Sequence, residues 1–401
     1  MIRTSKHVLS FSNKEKLNII DQFYNDYKLM LQYYIDLILN KTLPFEKFIS
    51  SKILPNYIFK HSQWKHIIYK QAIEIIKSTT EKSKNKVYKK YKYLYSKCIK
   101  NNIHQNFTSK RFSELNINYI KRIPKIQIKN VSLYIDNRLF DIKKGNIFDE
   151  FIRIKTPYFQ DNKHLSVKIN IPIKHYRQSN RFINENWNRK NTIILRKKDD
   201  KFFIDLIWEK KEPKKKEIIK SIGIDTGYKK LISSSSGEHY GKELFNIYYK
   251  IARKEQGSKS FKRALIERDE LINVTVKEFI RNESPDQLII EELKNVKYNS
   301  NKYINNKIMN KIQRWSYPKV YARLNLLAEE EGFFIKQVNP AYTSQTCSKC
   351  ANIDKESRKG EVYLCSSCKI EIDADYNAAV NILHRGVCGP SNFKLNYIAS
   401  K

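Results

Sequence analysis

Three carboxylates follow apolar segments in the second half of the chain. Asp225 ends a short strand-like run, and Gly227 allows a sharp turn beside it. Glu291 leaves a second such run, while the two-residue alternation of a strand sends its neighbour Glu292 to the opposite side. Asp375 stands at the start of an alanine-rich helical segment. If the three segments converge, three carboxylates share one site.

Each carboxylate alone also has an ordinary structural interpretation. Asp225 fits a common Asp-x-Gly turn, Glu291 fits a solvated loop residue, and Asp375 fits a helix N-cap. The combination favours catalysis, because phosphodiester hydrolysis uses clustered carboxylates that hold two hard cations about 3.5–4 Å apart. Mg²⁺ prefers oxygen ligands and retains waters. The three residues therefore predict a site for two Mg²⁺ ions.

Four cysteines give the sharpest local signal. Cys347 and Cys350 form one Cys-x-x-Cys knuckle, Cys365 and Cys368 form a second, and fourteen residues separate the two. This spacing is typical of a tetrahedral four-cysteine zinc site. Because no open ligand position is implied, we expect the zinc to be structural rather than catalytic.

The charge of the chain predicts a polyanionic partner. Its 401 residues carry 77 Lys and Arg against 41 Asp and Glu, a formal net charge of +36. Residues 1–220 account for +28 and residues 221–401 for +8, so most nucleic-acid contact is expected in the first half. No window is apolar enough to span a membrane, and the first residues lack a signal-peptide pattern. We expect a protein that stays in a cytosol or an equivalent reducing space.

Periodicity places helices first and strands afterwards. A capping box at Ser12–Glu15 predicts a long helix, and a second helical stretch runs from about Ser62 to Lys100. Strand-like alternation follows from about residue 123, and the charged run 210–217 reads as a linker. The basic face of the second helix is expected to contact nucleic acid, although a solvated lysine-rich face is the alternative; the candidates are Lys86, Tyr88, Lys89, Lys90 and Tyr91.

The order of these motifs resembles the TnpB family. The resemblance rests on Gly-Ile-Asp-Thr-Gly at 223–227, Ile-Ile-Glu-Glu-Leu at 289–293, Trp-Ser-Tyr at 315–317, the knuckle segment 339–350 and Asp-Tyr-Asn-Ala-Ala at 375–379. TnpB proteins are transposon-encoded RNA-guided nucleases, and miniature type V CRISPR effectors are similar. By motif matching, Asp225, Glu291 and Asp375 take the places of the family's catalytic carboxylates.

The resemblance implies a multidomain α+β and α/β fold. An N-terminal β-barrel of wedge type would comprise residues 1–12 and 106–217, with a helical recognition insertion at 13–105. An RNase H-like (RuvC) nuclease domain would comprise 218–340 and 372–401, with a zinc ribbon at 341–371. Asn377 would support Asp375. Ala351 and Lys369 stand where the family has a glycine after each knuckle, so some distortion of the ribbon is expected.

The activity implied is that of an RNA-guided DNA endonuclease cutting next to a short duplex motif. Its partners would be a guide RNA from the transposon end and double-stranded target DNA, with no membrane partner. A monomer is expected, with a dimer as the alternative. A miniature type V CRISPR effector is the closest rival function. A nuclease-dead, RNA-guided DNA-binding repressor is disfavoured because all three carboxylates are present.

Overall fold

The computed structural model describes residues 1–46, 49–100, 126, 128, 130–160, 163–293 and 316–389. The backbone alone is described for residues 84, 86–100, 158–160 and 163–165. The chain divides into two compact units, an N-terminal unit of Ile2–Lys210 and a C-terminal unit of Lys211–Lys401 with Met1. None of the helices in the described ranges combines the length and apolarity that crossing a membrane requires.

The described part of the N-terminal unit is a mixture of strands and helices. In chain order the elements are β1 (Ile2–Val8), α1 (Lys14–Leu39), α2 (Ser62–Lys100), β2 (Ser132–Asp136), β3 (Phe140–Lys144), β4 (Glu150–Gln160), β5 (Lys163–Ile173), α3 (Arg177–Asn184), β6 (Asn188–Lys198) and β7 (Lys201–Glu209). The strands form two antiparallel sheets, ordered β1-β7-β6-β2 and β3-β4-β5. Closure of these strands into a barrel stays a prediction.

Alternating side-chain direction gives the four-stranded sheet a core face and an outward face. On β7, Ile204 and Leu206 are buried in the core. Phe203 lies on the opposite face of the strand and is partly exposed. A two-residue turn joins β6 to β7, with φ of 49° at Asp199 and 57° at Asp200. Positive φ at both positions matches the twist of a two-residue hairpin. The strands β6 and β7 therefore form a hairpin.

The helix ends refine the expected start of α1. Asn13, not Ser12, caps the helix: its side chain accepts a hydrogen bond from the Lys16 amide at 3.1 Å. The Ser12 hydroxyl is buried and has no hydrogen-bond partner among the described residues. The second predicted helix is confirmed as α2, but the side chains of Lys86, Tyr88, Lys89, Lys90 and Tyr91 lie outside the described part of the structure.

The C-terminal unit is built on a five-stranded mixed sheet. Its elements are β8 (Ser221–Asp225), β9 (Ile232–Ser234), β10 (His239–Tyr240), α4 (Leu244–Ala252), α5 (Lys259–Glu283), β11 (Gln287–Glu291), α6 (Tyr317–Glu331), β12 (Phe334–Val338), β13 (Arg358–Lys359), β14 (Val362–Leu364), β15 (Glu371–Asp373) and α7 (Ala374–Cys388). The large sheet is ordered β10-β9-β8-β11-β12, with β8, β11 and β12 parallel. The short strands β13, β14 and β15 form a separate antiparallel sheet.

Helices cover both faces of the large sheet. Ile224 and Ile290 pack against α4, α5 and α6 in the main core, while Ile289 on the other face packs with Ile382 of α7. Close approach of α7 to β8 requires Gly223, since a Cβ there would lie 2.3 Å from the Ala379 carbonyl oxygen. The sequence thus fixes α7, and the carboxylates at its start, against the central strand.

Candidate active site

The structure brings the three predicted carboxylates to one edge of the large sheet. Asp225 is the last residue of β8 and Glu291 is the last residue of β11. These strands are parallel neighbours with Ile224 paired to Ile290, so the two carboxylates leave the same edge side by side. Asp375 lies in the first turn of α7, which packs across β8.

Electrostatics show how closely the three groups interact. Burial raises the pKa of Asp225 to about 7, with further increases from the neighbouring Glu291 and Asp375 carboxylates. The Arg358 guanidinium and the Thr226 amide act in the opposite direction. Burial also raises the pKa of Glu291, against a hydrogen bond that the Thr343 hydroxyl donates to Glu291 Oε1. A buried carboxylate whose pKa is raised by acidic neighbours, as for Asp225, is typical of a functional site that holds cations.

The N-cap role that Asp375 alone would fit belongs to a different residue. Asp373 caps α7, since its Oδ1 accepts hydrogen bonds from the amides of Asp375 at 3.0 Å and Tyr376 at 2.9 Å. The Asp375 carboxylate is therefore not used by the helix end. Arg358 Nη2 donates to its Oδ1 at 2.7 Å, and Lys230 Nζ lies 3.6 Å from its Oδ2.

Sequence reasoning missed both of these cations. Lys230 is buried and donates to Asp373 Oδ2 at 2.5 Å, held by the turn in which the Gly227 amide donates to the Lys230 carbonyl at 3.1 Å. Arg358 comes from the segment between the two cysteine knuckles. Lys230 could have been found from the sequence, because it lies on the Gly227 turn that directly follows Asp225. Nothing in the sequence around Arg358 marks it as a residue of the site.

The four cysteines form a compact cluster whose geometry fits zinc. All four Sγ atoms lie within 4.8 Å of one another, with 3.7 Å between Cys347 and Cys368 and 3.5 Å between Cys350 and Cys365. Zn–S bonds of about 2.3 Å in a tetrahedron place sulfurs about 3.8 Å apart. The soft thiolate set and this spacing could hold one zinc ion.

The two residues that replace the expected glycines have strained backbone conformations. Ala351 and Lys369 take φ of 59° and 58°, the left-handed conformation that glycine adopts freely. Their amides donate to the carbonyls of Cys347 at 2.9 Å and Cys365 at 3.1 Å, which closes each knuckle. The substitutions therefore strain the main chain locally, and the four sulfurs stay together.

The cysteine knuckle is bound directly to the helix that carries Asp375. Asn377, which we expected to support Asp375, instead accepts from the Ser348 amide at 2.8 Å and donates to the Thr346 carbonyl at 2.8 Å. Asn381 donates to the carbonyls of Thr343 at 2.9 Å and Thr346 at 2.6 Å. Both asparagines are fully buried, so α7 links the first knuckle to the carboxylate site.

Comparison with known proteins places part of this unit in a known family model. Residues 317–382 match the model described as Cas12f1-like, TNB domain. The CRISPR-associated endodeoxyribonuclease Cas12f1 of Sulfoacidibacillus thermotolerans is 43% identical over 72 residues, 18% of this chain and 17% of that protein. A TnpB-like protein of Aquifex aeolicus is 35% identical over 97 residues, 23% of this chain and 31% of that protein. The matches thus span less than a third of these relatives.

Solved structures share the fold of the whole chain. The C2c1 protein of Alicyclobacillus acidoterrestris, in complex with single-guide RNA, matches with a TM-score of 0.57 at 8% identity, covering 96% of this chain and 88% of that one. CasPhi-2 (Cas12j), bound to crRNA and phosphorothioate DNA, matches with a TM-score of 0.52 at 10% identity, covering 96% and 91%. The fold is the mixed α/β fold of the Cas12 effectors. Over these partial matches the chain is similar to Cas12f1 endodeoxyribonucleases and to TnpB-like proteins.

Proposed function

We propose that this chain is an RNA-guided DNA endonuclease of TnpB type. One observation carries the proposal: Asp225, Glu291 and Asp375 converge at the edge of the large sheet, with the pKa of Asp225 raised to about 7 by burial and by its two acidic neighbours. A bound cation favours the ionised form of a buried carboxylate whose pKa is raised by acidic neighbours. The matches to Cas12f1 and TnpB-like proteins support the same activity.

The three carboxylates would hold two Mg²⁺ ions, because hard oxygen donors are the ligands that Mg²⁺ prefers. When bound, these ions supply activation of the attacking water and stabilisation of the departing 3′ oxygen. The Thr343 hydroxyl orients Glu291 by its hydrogen bond to Oε1. Arg358 lies beside Asp375, where its planar guanidinium is suited to a phosphate oxygen of the strand being cut.

The remaining parts of the chain would serve recognition. We propose that the large sheet with α7 is the RuvC-like nuclease domain of residues 218–340 and 372–401, and that residues 341–371 form its zinc ribbon. Residues 1–12 and 106–217 would be the wedge-type domain, with 13–105 as the helical insertion. Residues 1–220, with a net charge of +28, would bind the phosphate backbones of the guide RNA and of the RNA–DNA heteroduplex. The wedge-type domain and the helical insertion would recognise the short duplex motif beside the target.

A miniature type V CRISPR effector is the second candidate, and the 43% identity to Cas12f1 favours it. The two functions share their chemistry and differ in the source of the guide. RNA sequenced from the purified protein decides between them: transposon-end sequence supports the TnpB function, and repeat-spacer sequence supports the CRISPR function.

The test of the nuclease is DNA cleavage by the guide-loaded protein. Asp225→Ala should abolish cleavage of a matched duplex while guide-RNA binding stays at the wild-type level. Glu292→Gln is the matched control, since it neutralises a carboxylate one residue beyond Glu291, and it should cleave normally. Cleavage by Asp225→Ala at the wild-type rate would refute the assignment.

A further inference from the structure

A small cavity in the N-terminal unit has no role in the proposed cleavage chemistry. Its volume is about 220 Å³, below the ~300–1,000 Å³ of pockets for drug-sized ligands. The cavity is lined by residues of all four strands of the β1-β7-β6-β2 sheet and of the segment that leads into β2. Among them are Lys6, Asn130, Ser132, Arg196, Lys198 and Phe203. We call it the sheet pocket.

Strand register places three residues of the lining, Ser132, Arg196 and Phe203, on the outward face of the sheet. Ser132 pairs with Arg196, and Arg196 pairs with Phe203, so the three side chains form one row across β2, β6 and β7. Their sequence neighbours Leu133 and Leu195 are buried on the core face. The sheet pocket therefore lies on the face that the core does not use.

Two cations of the sheet pocket are available to an anion, whereas a third lysine of its lining, Lys197, is paired with Asp21 at 2.6 Å. Lys6 and Lys198 are exposed, and neither forms a salt bridge with a residue that the structure describes. Arg196 is held by Asp205, with 2.7 Å between Nη2 and Oδ1. Its Nε–H is buried and finds no acceptor within the described ranges. One acidic neighbour thus fixes the guanidinium, and two lysines leave the pocket with net positive charge.

An aromatic ring completes the sheet pocket. Phe203 is partly exposed on the outward face, and Lys6 Nζ lies 5.7 Å from the centre of its ring. Two residues along β2 from Ser132, Tyr134 presents a second ring on the same face and is 42% exposed. Aromatic rings on a sheet face with cations around them are the elements that bind unstacked nucleotides: bases stack on the rings, and lysines contact phosphates.

We propose that the sheet pocket binds one unstacked nucleotide of a nucleic-acid strand. The base packs against Phe203, and the adjoining phosphates lie between Lys6 and Lys198. A base inside a duplex has both faces covered by its neighbours, so the pocket selects a single-stranded or everted nucleotide. RNA and DNA offer the same base and phosphate chemistry here, and the experiment separates them.

The proposal rests on the proposed function only in taking nucleic acid as its ligand. The test is photocrosslinking of the full chain to short single-stranded oligomers that contain 5-bromouracil, as RNA in one arm and as DNA in the other. The wild-type protein should crosslink within the tryptic peptide 202–210, which contains Phe203. Preference of one arm identifies which strand the pocket takes.

Two variants and one control give the readouts. Phe203→Leu should lose the crosslink and weaken single-strand binding roughly tenfold, as expected for one stacked base. Lys198→Ala should lower the salt dependence of binding by about 0.7 in the log–log slope, the loss of one phosphate contact on a single strand. Lys144→Ala, which removes an exposed lysine of the β3-β4-β5 sheet, should keep the crosslink.

The outcomes separate this proposal from the nuclease proposal. If the protein binds and crosslinks only outside peptide 202–210, or if both variants keep wild-type affinity and salt slope, the sheet pocket is refuted while cleavage stands. If the crosslink maps to the peptide and Asp225→Ala still cleaves DNA, the pocket stands and the nuclease assignment fails. A folded wild-type protein that binds neither oligomer would overturn the pocket on its own.

Discussion

Arg358 Nη2 donates a hydrogen bond to Asp375 Oδ1 at 2.7 Å, although Arg358 belongs to the cysteine-bound segment and Asp375 to the helix that follows it. Burial and the acidic neighbours raise the pKa of Asp225 to about 7, and the same guanidinium acts in the opposite direction. One side chain from between the knuckles thus contacts one carboxylate of the site and favours the ionised form of another.

Removal of that guanidinium should slow cleavage. We expect Arg358→Ala to cut a matched duplex at least tenfold more slowly, because Asp375 loses its partner and the cleaved phosphate loses a planar donor. Single-turnover cleavage measures the effect. Lys229→Ala, which breaks only an exposed pair with Glu361, is the control and should cleave normally. An unchanged rate for Arg358→Ala would show that the contact has no part in the reaction.

Replacement of Asp225 should stabilise the protein in magnesium-free buffer. Its folded pKa of about 7 exceeds the 3.8 of an ordinary aspartate, so ionisation opposes folding, with no effect below about pH 4 and the full effect above about pH 7. We expect Asp225→Asn to raise the free energy of unfolding by on the order of 2–4 kcal/mol at pH 8 and by little at pH 4. Urea unfolding at both pH values, without chelator so that zinc is retained, measures the difference.

The control for this experiment has the opposite sign. Asp286 accepts backbone hydrogen bonds from Lys220 and Ile219, chiefly the Lys220 amide, and its pKa is lowered. Its ionised form therefore favours folding above the unfolded pKa, and Asp286→Asn should destabilise the protein at pH 8. Equal destabilisation by both variants would contradict the description of Asp225 as a strained carboxylate.

Zinc should depend on each cysteine of the cluster. We expect Cys350→Ser to release the metal and to destabilise the C-terminal unit, since a structural zinc contributes its binding energy to folding. Zinc content of the purified protein and its thermal unfolding test this. Cys388→Ser removes a cysteine outside the cluster and should retain one equivalent. A zinc-replete Cys350→Ser protein would rule out the four-cysteine site.

Glycine should relieve the strain after the second knuckle. Because Lys369 has φ of 58°, we expect Lys369→Gly to raise the free energy of unfolding by about 1 kcal/mol. The control is Ala328→Gly, which introduces a glycine inside α6 and should lower the free energy of unfolding by about 1 kcal/mol. Denaturant unfolding compares the two, and destabilisation by Lys369→Gly would mean that the lysine side chain outweighs the strain.

The sequence was informative wherever a local pattern determines the position. Apolar runs predicted that Asp225 and Glu291 end strands, and the alanine-rich segment predicted that a helix begins at Asp375. Their convergence followed from the geometry of a parallel sheet, in which neighbouring strands end at the same edge. The pairing of Arg358 and Lys230 with Asp375 and Asp373 was not accessible, since it depends on how the segment between the knuckles folds back. The role of each carboxylate in catalysis stays a prediction.

Local patterns also failed in identifiable ways. The capping motif suggested Ser12, but Asn13 accepts the bond at the start of α1 because an amide oxygen one residue later reaches the same turn. The β4 strand went unpredicted, although Ile152 and Ile154 alternate with Arg153 and Lys155 in the period of a strand, because the run is short and a proline follows it. Asn377 was matched to Asp375 by proximity in sequence, whereas helical spacing turns it toward the knuckle.

Gly223 leaves no space for a side chain between β8 and α7. Its missing side chain leaves the main chain of β8 in direct contact with α7, where a Cβ would lie 2.3 Å from a carbonyl oxygen and 2.5 Å from the Leu383 amide. The separation between Asp225 and Asp375 is therefore set by two backbones rather than by side chains that can repack. Substitutions of the cations around the site, Lys230 and Arg358, can change its electrostatics, whereas the position of α7 against β8 leaves no room for change.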